Sequence, residues 1–230
     1  MNDFINSLAQ FDTPTISNAI EVAQGTRGYE RFTRATPVSV MNGAKAMCGY
    51  ARTAKLSGVK APTEDPEIIK ARRLDYFKYM AKGNQPTVCV IEDIDAPGCV
   101  SAWWGEVHTA VHLGLGMSGA LTNGVMRDLD DHEPGFPVVA GSIGPSHLFC
   151  HITELDIPVT VFDLAISPGE IVHADQHGAV VIPEDVMPVL GEAIKTLLTN
   201  EQIIIGPARE PGFDIYKLEA AWKIFEEART

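Results

Sequence analysis

Several things this chain does not have bound it first. No two of its four cysteines, Cys48, Cys89, Cys99 and Cys150, form a C-x-x-C pair, which excludes a zinc knuckle and argues against a disulfide framework. Free thiols in a reducing compartment are expected instead. Lys and Arg never gather into a block, and 18 basic residues against 30 acidic ones give a formal net charge of -12. Such a surface repels a phosphate backbone, so no nucleic-acid partner is expected. Nowhere do 18 apolar residues run uninterrupted, and the start MNDFINSLAQFDTP has no basic segment before an apolar one. A cytoplasmic protein that neither spans a membrane nor is secreted is therefore predicted. Internal repeats are also absent. What is present is a hydrophobic content of 45% over 230 residues, enough for one substantial core. Residues 1–200 read as a single domain and 201–230 as its C-terminal helical arm.

Periodicity and punctuation predict a helix over 15–22, strands over 44–56 and 87–94 as sheet neighbours, and between them a surface helix with apolar positions at Ile68, Ile69, Leu74, Phe77 and Met80. Further strands are predicted over 118–122, 136–140, 157–165, 170–174 and 179–182. Helices over 184–199 and 214–228 finish the chain, with GPAREPG between them as a breaker. Strands separated by helices, followed by a cluster of short strands with Pro-Gly and His-Gly turns, imply a layered α/β domain with some antiparallel pairing.

The glycines of GLGMSG at 114–119 satisfy the dinucleotide fingerprint G-x-G-x-x-G. That site needs a strand before the glycines and a helix after them. Here TAVHL before them is helical and GALTNG after them meets an Asn-Gly turn, so the reading is a helix-to-strand corner. His108 and His112, His147 and His151, and His173 and His177 each stand four apart, which invites a zinc reading. Only a helix turns that spacing into a shared face, and no H-E-x-x-H is present. Core or surface histidine is the default, with His108 and His112 the pair best suited to a metal.

Arg127 and Asp128 follow an Asn-Gly turn, and as an exposed ion pair they would contribute little. Their company argues for more. Upstream, the Gly105-Glu106-Val107 turn opens a helix whose first N–H groups lack intrahelical acceptors, a terminus that binds carboxylate or phosphate. Main-chain amides, a fixed cation and a metal-capable carboxylate form a set suited to 2-oxo acids.

These motifs resemble the RraA-like family, which contains the 4-hydroxy-4-methyl-2-oxoglutarate aldolases, also active as oxaloacetate decarboxylases, and the regulator of ribonuclease E activity A. The family's G-E turn, Ala/Gly-rich helix and D-G-x-x-R-D are matched by Gly105-Glu106 and by NGVMRD at 123–128. Its P-G-D-x-V-x-x-D-x-x-G-V-V-x-P is similar to PGEIVHADQHGAVVIP at 168–183, and its N-terminal T-x-x-x-x-D-A is echoed by Thr13, Asn18 and Ala19. The resemblance implies a three-layer β/β/α domain of the swivelling type with a mixed sheet, assembled as a homotrimer or homohexamer with active sites at subunit boundaries. It implies Asp128 as the protein ligand of Mg²⁺ or Mn²⁺, which suits a hard cation that keeps its waters. Arg127 would face the substrate's carboxylate or keto oxygen, and the amides of Gly105, Glu106 and Val107 would hold the carboxylate. Glu201 lies near where a neighbouring subunit's acid reaches the metal waters.

The implied activity is that of a metal-dependent lyase. Breaking the C3–C4 bond of a 4-hydroxy-2-oxo acid, or losing CO₂ from oxaloacetate, leaves an enolate on the pyruvate fragment. Positive charge from the divalent ion and Arg127 would stabilise it without a Schiff-base lysine. Three positions depart from the family pattern: Asn123 and Asn18 replace Asp, and the Arg that follows P-V-F-A is missing from PVVAGS at 137–142. Fewer acids give a water less help as general base, so which 2-oxo acid is cleaved stays open. The alternative is a non-enzymatic RraA-like regulator that binds another protein; such members generally lack the metal Asp, so Asp128 favours the enzyme. The family's older methyltransferase label fails for want of a strand before the glycines.

Overall fold

In the computed structural model, which describes residues 1–83 and 85–229, the apolar run Thr87–Asp93 forms strand β3, buried throughout except at Glu92. A strand covered on both faces is what an unbroken apolar run encodes. Parallel partners flank it, β2 (Met47–Ser57) on one side and β5 (Met117–Thr122) on the other. Beyond β5, β7 (Val138–Ala140) continues the parallel set and β1 (Val38–Val40) closes that edge antiparallel. The other side of β2 is shared by two antiparallel neighbours. Met47–Tyr50 pairs with β12 (Ile171–Asp175), and Ala54–Ser57 pairs with β9 (His151–Leu155) after a register shift at Lys55/Leu56. β13 (Gly178–Ile182) completes the eight-stranded mixed sheet as a hairpin with β12.

Alternate residues of these strands supply two cores, as a period of two requires. Cys89, Ile91, Ala120 and Val138 face a cluster with Tyr76, Met80, Trp103, Trp104 and Phe136. Val88, Val90, Leu121 and Val139 face another with Val159, Val161, Leu164 and Ile166. The second cluster is capped by the hairpin of β10 (Val159–Val161) and β11 (Leu164–Ile166). The first is covered by α3 (Pro66–Met80), whose start is fixed by Pro66 at the first position and by the Asp65 carboxylate accepting from the Glu67 amide at 2.8 Å. Helix α4 (Glu106–Gly114) and a small parallel sheet of β4 (Ala102–Trp104), β6 (Val125–Met126) and β8 (Ser142–Ile143) complete this unit's elements around the site. The fold is a mixed-sheet β/β/α domain.

The chain divides into two compact units, Met1–Ile16 with Glu30–Glu184, and Ser17–Tyr29 with Asp185–Thr230. The second contains α5 (Leu190–Ala208) and α6 (Ile215–Arg229), tied where Asn200 Nδ2, midway along α5, donates to the Ala228 carbonyl near the end of α6 at 3.1 Å. Asn18 and Glu201 both line a cavity of about 720 Å³ within it.

Several elements differ from expectation. The single strand over 157–165 is a hairpin, because Phe162 and Asp163 turn at φ 50° and 62°; non-glycine residues in that left-handed region leave no signature a pattern can read. Helix α5 starts six residues later than predicted and carries Pro207 in its last turn, where the missing N–H removes one i→i−4 bond and the helix ends one residue later, at Ala208. Helices α1 (Asn2–Leu8) and α2 (Thr13–Gln24) open the chain, the first unpredicted. No described helix is long and apolar enough to cross a membrane.

Candidate active site

Register builds the site. β4 and β6 are parallel neighbours with Trp104 paired to Met126, and the Arg127 amide donates to the Trp104 carbonyl at 2.8 Å. Gly105 and Arg127, the next residues of the two strands, therefore leave the small sheet side by side. Trp104, fully buried among Phe136 and His112, anchors that end. From Gly105 the chain enters α4, whose first returning hydrogen bond runs from the Thr109 amide to the Gly105 carbonyl. The amides of Glu106, Val107 and His108 lack intrahelical acceptors.

Asp128 adopts the left-handed conformation, φ 53° and ψ 46°. Its Oδ2 lies 3.5 Å from Arg127 Nε and 3.4 Å from the Glu106 amide. Both approaches are longer than a strong charge-assisted bond, and Arg127 Nε is buried without a hydrogen bond. Gly105 has an extended backbone, φ -158°, that any residue could adopt. Space is what it provides: an added Cβ would lie 2.5 Å from Asp128 Oδ2 and 3.0 Å from Arg127 Nε. Gly105, Glu106, Arg127 and Asp128 are thus brought together as a cradle in which the Asp128 and Arg127 side chains close over the Gly105 Cα. Val107 stands one residue on in the same turn with its side chain 62% exposed.

The donor set fits a hard divalent cation. Among the described residues no group of three or more His, Cys, Asp or Glu side chains gathers as a metal cage, but Mg²⁺ or Mn²⁺ bound through one carboxylate and its own waters needs none. The histidine spacing resolves the same way. His112 is buried in α4, donating from Nδ1 to the His108 carbonyl and accepting at Nε2 from the Tyr76 hydroxyl at 2.6 Å. Burial lowers its pKa to about 4, and burial together with His112 and Arg127 lowers that of His108 to about 3.

Two departures from the family pattern meet at the Asn123-Gly124 turn that launches β6. Asn123 Oδ1 accepts from the Asp93 amide at 2.7 Å while its Nδ2 donates to the Asp93 carbonyl at 3.2 Å, a reciprocal bracket that needs an amide and not a carboxylate. The residue after PVVA is Gly141, where an added Cβ would run into the Asn123 carbonyl. Asp93 itself was not singled out from sequence. Its Oδ2 is buried without a partner, and burial first, then Asp95, raises its pKa to about 6. An acid closing an otherwise apolar strand was the available signal. The glycine fingerprint is explained as a corner: Gly116 turns at φ 85°, and a Cβ at Gly119 would strike Met47 and Pro137.

Residues 13–181 match the family described as RraA-like, Aldolase/RraA. The chain belongs to the RraA-like family. It is similar to the protein DlpA of Legionella pneumophila, 27% identical over 154 residues that cover 63% of this chain and 24% of that one. An uncharacterised Methanocaldococcus jannaschii protein is 29% identical over 110 residues, 44% of this chain and 53% of that one, so the chain matches about a quarter and about half of these two relatives' lengths. The "Putative 4-hydroxy-4-methyl-2-oxoglutarate aldolase" of Halalkalibacterium halodurans is 24% identical over 185 residues, 79% of this chain and 77% of that one. Among solved structures, an uncharacterised Pseudomonas syringae protein superposes with a TM-score of 0.70 at 20% identity, covering 97% of this chain and 94% of that one. Streptomyces coelicolor RraAS2, described as an unusual member of the RNase ES inhibitor RraA family, does so at 0.64 and 20%, covering 91% and 98%. At these identities the structures establish the RraA-like fold alone. The family holds both aldolases and ribonuclease regulators.

Proposed function

We propose that this RraA-like protein is a divalent-metal-dependent lyase that cleaves a C–C bond of a 2-oxo acid through a pyruvate enolate, as a 4-hydroxy-2-oxo acid aldolase, an oxaloacetate decarboxylase, or both. The observation that carries this reading is the convergence of Asp128 Oδ2, Arg127 Nε and the Glu106 amide on the space a side chain at Gly105 would fill. Asp128 would hold Mg²⁺ or Mn²⁺ through one oxygen. The bound ion would supply positive charge at the keto oxygen as the C–C electron pair arrives there. Arg127 offers the same oxygen or the adjoining carboxylate a cation that needs no rearrangement during the step. The amides of Glu106 and Val107, which have no intrahelical acceptors, would orient the substrate carboxylate at the start of α4, where the helix dipole favours negative charge. On the same reading the protein is a cytoplasmic homotrimer or homohexamer with no nucleic-acid or membrane partner.

Oxaloacetate mixed with the purified protein and Mg²⁺ should release pyruvate above the metal-only rate, and EDTA should abolish the excess. Absence of metal-dependent pyruvate from both oxaloacetate and 4-hydroxy-4-methyl-2-oxoglutarate overturns the proposal. A protein-binding regulator is the second reading, favoured by the description of the Streptomyces neighbour; a folded protein silent with both substrates is its expected signature.

A further inference from the structure

Between Asp128 and Glu133 a short strap ties together the two segments that form the cradle, and we propose that His132 and Thr109 are its positioning residues. After Asp128 the chain makes a single 3-10 turn, Leu129–Asp131, with the Asp131 amide donating to the Asp128 carbonyl at 3.0 Å. His132 then folds back. Its ring, 2% exposed, donates from Nε2 to the Arg127 carbonyl at 2.7 Å, and its own carbonyl accepts from the Asn42 side-chain amide. The next residue crosses to α4: the Glu133 amide donates to Thr109 Oγ1 at 3.1 Å, and that hydroxyl donates to the Glu106 carbonyl at 2.9 Å, with the Gly105 carbonyl at 3.2 Å.

Thr109 is fully buried and lies on the inner face of the first turn of α4. A chain of three hydrogen bonds therefore runs from the Arg127 carbonyl, through His132, Glu133 and Thr109, to the Glu106 carbonyl. It crosses behind the cradle. Holding the Arg127 carbonyl limits rotation of the peptide leading into Asp128, whose left-handed backbone is disfavoured for a residue with a Cβ and needs surroundings that fix it. The chemistry of His132 fits this use. With Nε2 donating, Nδ1 is left as a buried acceptor without a partner, an expense an apolar residue would avoid. The Nε2–H donor is what an apolar replacement would lose. The hydrogen bonds of both side chains go to backbone and none to the Asp128 carboxylate, so both act through the backbone they hold.

The kinetic consequence rests on the lyase reading; the mechanical one does not. Four variants test it in the full chain: His132→Phe, His132→Gln, which keeps a donor near the Nε2 position, Thr109→Val, and the double variant His132→Phe/Thr109→Val. Amide hydrogen exchange of the metal-free protein is followed over 105–109 and 127–131. His132→Phe should speed exchange in 105–109 as well as in 127–131, Thr109→Val should do the same in reverse, and the double variant should add little to either single one. His132→Gln should restore most of the protection. Mn²⁺ affinity, read by electron paramagnetic resonance, should weaken in His132→Phe and recover in His132→Gln. If the wild type turns over oxaloacetate, kcat should fall about 10- to 100-fold in His132→Phe and Thr109→Val, the scale set by ångström misplacement of reacting groups. Exchange that changes only in the segment each substitution touches, or a Gln variant that behaves like Phe, overturns the strap. Coupled exchange in a protein with no turnover supports the strap and removes the lyase instead.

Discussion

Two aspartates of the same unit each follow a short strand and have opposite fates. Asp175, at the end of β12, is 2% exposed, and both of its oxygens are engaged at close range. Oδ2 accepts from the Thr13 amide at 2.9 Å, and Oδ1 accepts from the His177 amide at 2.8 Å with His177 Nδ1 at 3.0 Å. Asp128 is 38% exposed, and its donors stand off at 3.4 and 3.5 Å. One carboxylate holds the Thr13 amide against the sheet; the other keeps acceptor capacity beside a cation with an unused N–H. Each has a basic or titratable residue within two positions in the chain, Arg127 for Asp128 and His173 and His177 for Asp175. What separates them is how much of the oxygen's coordination the fold consumes, and that is a sounder marker of chemistry than the residue pair.

The strongest way to break this contrast is to exchange the consequences of losing each acid. Asp128→Ala and Arg127→Ala should lower kcat for oxaloacetate by about 10² to 10³ while leaving the melting temperature near that of the parent. Asp175→Ala should instead cost about 1–3 kcal/mol through its orphaned donors, lowering the melting temperature several degrees with turnover per folded molecule kept. Steady-state kinetics beside differential scanning calorimetry reads both. A parent-like kcat in either site variant ends the assignment.

Gly105→Ala sharpens it. The added methyl meets the ends of the Asp128 and Arg127 side chains, not backbone, so the protein should fold normally while the two groups swing out of place. Turnover should drop about 10- to 100-fold, with Mn²⁺ binding weakened in parallel.

The smallest effect is in pH. His173 lies beside Asp175 with Nδ1 accepting from the Thr13 hydroxyl at 3.0 Å and Nε2 donating to the Leu8 carbonyl at 3.1 Å. Burial lowers its pKa from 6.5 to about 4 against the pull of Asp175 and Asp12. In that window the unfolded chain binds more protons than the folded one, so stability is fully present above pH 6.5 and declines as pH falls towards 4, by about 3 kcal/mol when complete. Asp93 acts with the opposite sign: its raised pKa, about 6, makes the folded state bind more protons between pH 3.8 and 6 and offsets part of the loss. Urea unfolding at pH 7 and pH 4.5 should find the parent weaker at the lower pH and His173→Gln less pH-sensitive.

Much of this was legible in residues. The apolar residues of 87–94 announced a buried strand, and NGVMRD with Gly105-Glu106 named residues that the fold sets side by side. The small sheet escaped because three strands of two or three residues are shorter than any hydrophobic period, yet their register is what sets Arg127 beside Gly105. His132 and Thr109 escaped because they act through backbone carbonyls, which leave no mark in a side-chain pattern. Asn123 looked like a lost acid; the bracket it makes with Asp93 explains why an amide stands there.

Trp103 and Trp104, 5% and 0% exposed, directly precede Gly105, whereas the remaining tryptophan, Trp222 on α6, is 48% exposed. Light therefore distinguishes the two environments: the sheltered indoles emit to the blue and the wet one to the red. Iodide quenches the second and spares the first. A ligand that displaces the first turn of α4 moves the blue band, giving the protein an intrinsic optical gauge of occupancy with no label attached.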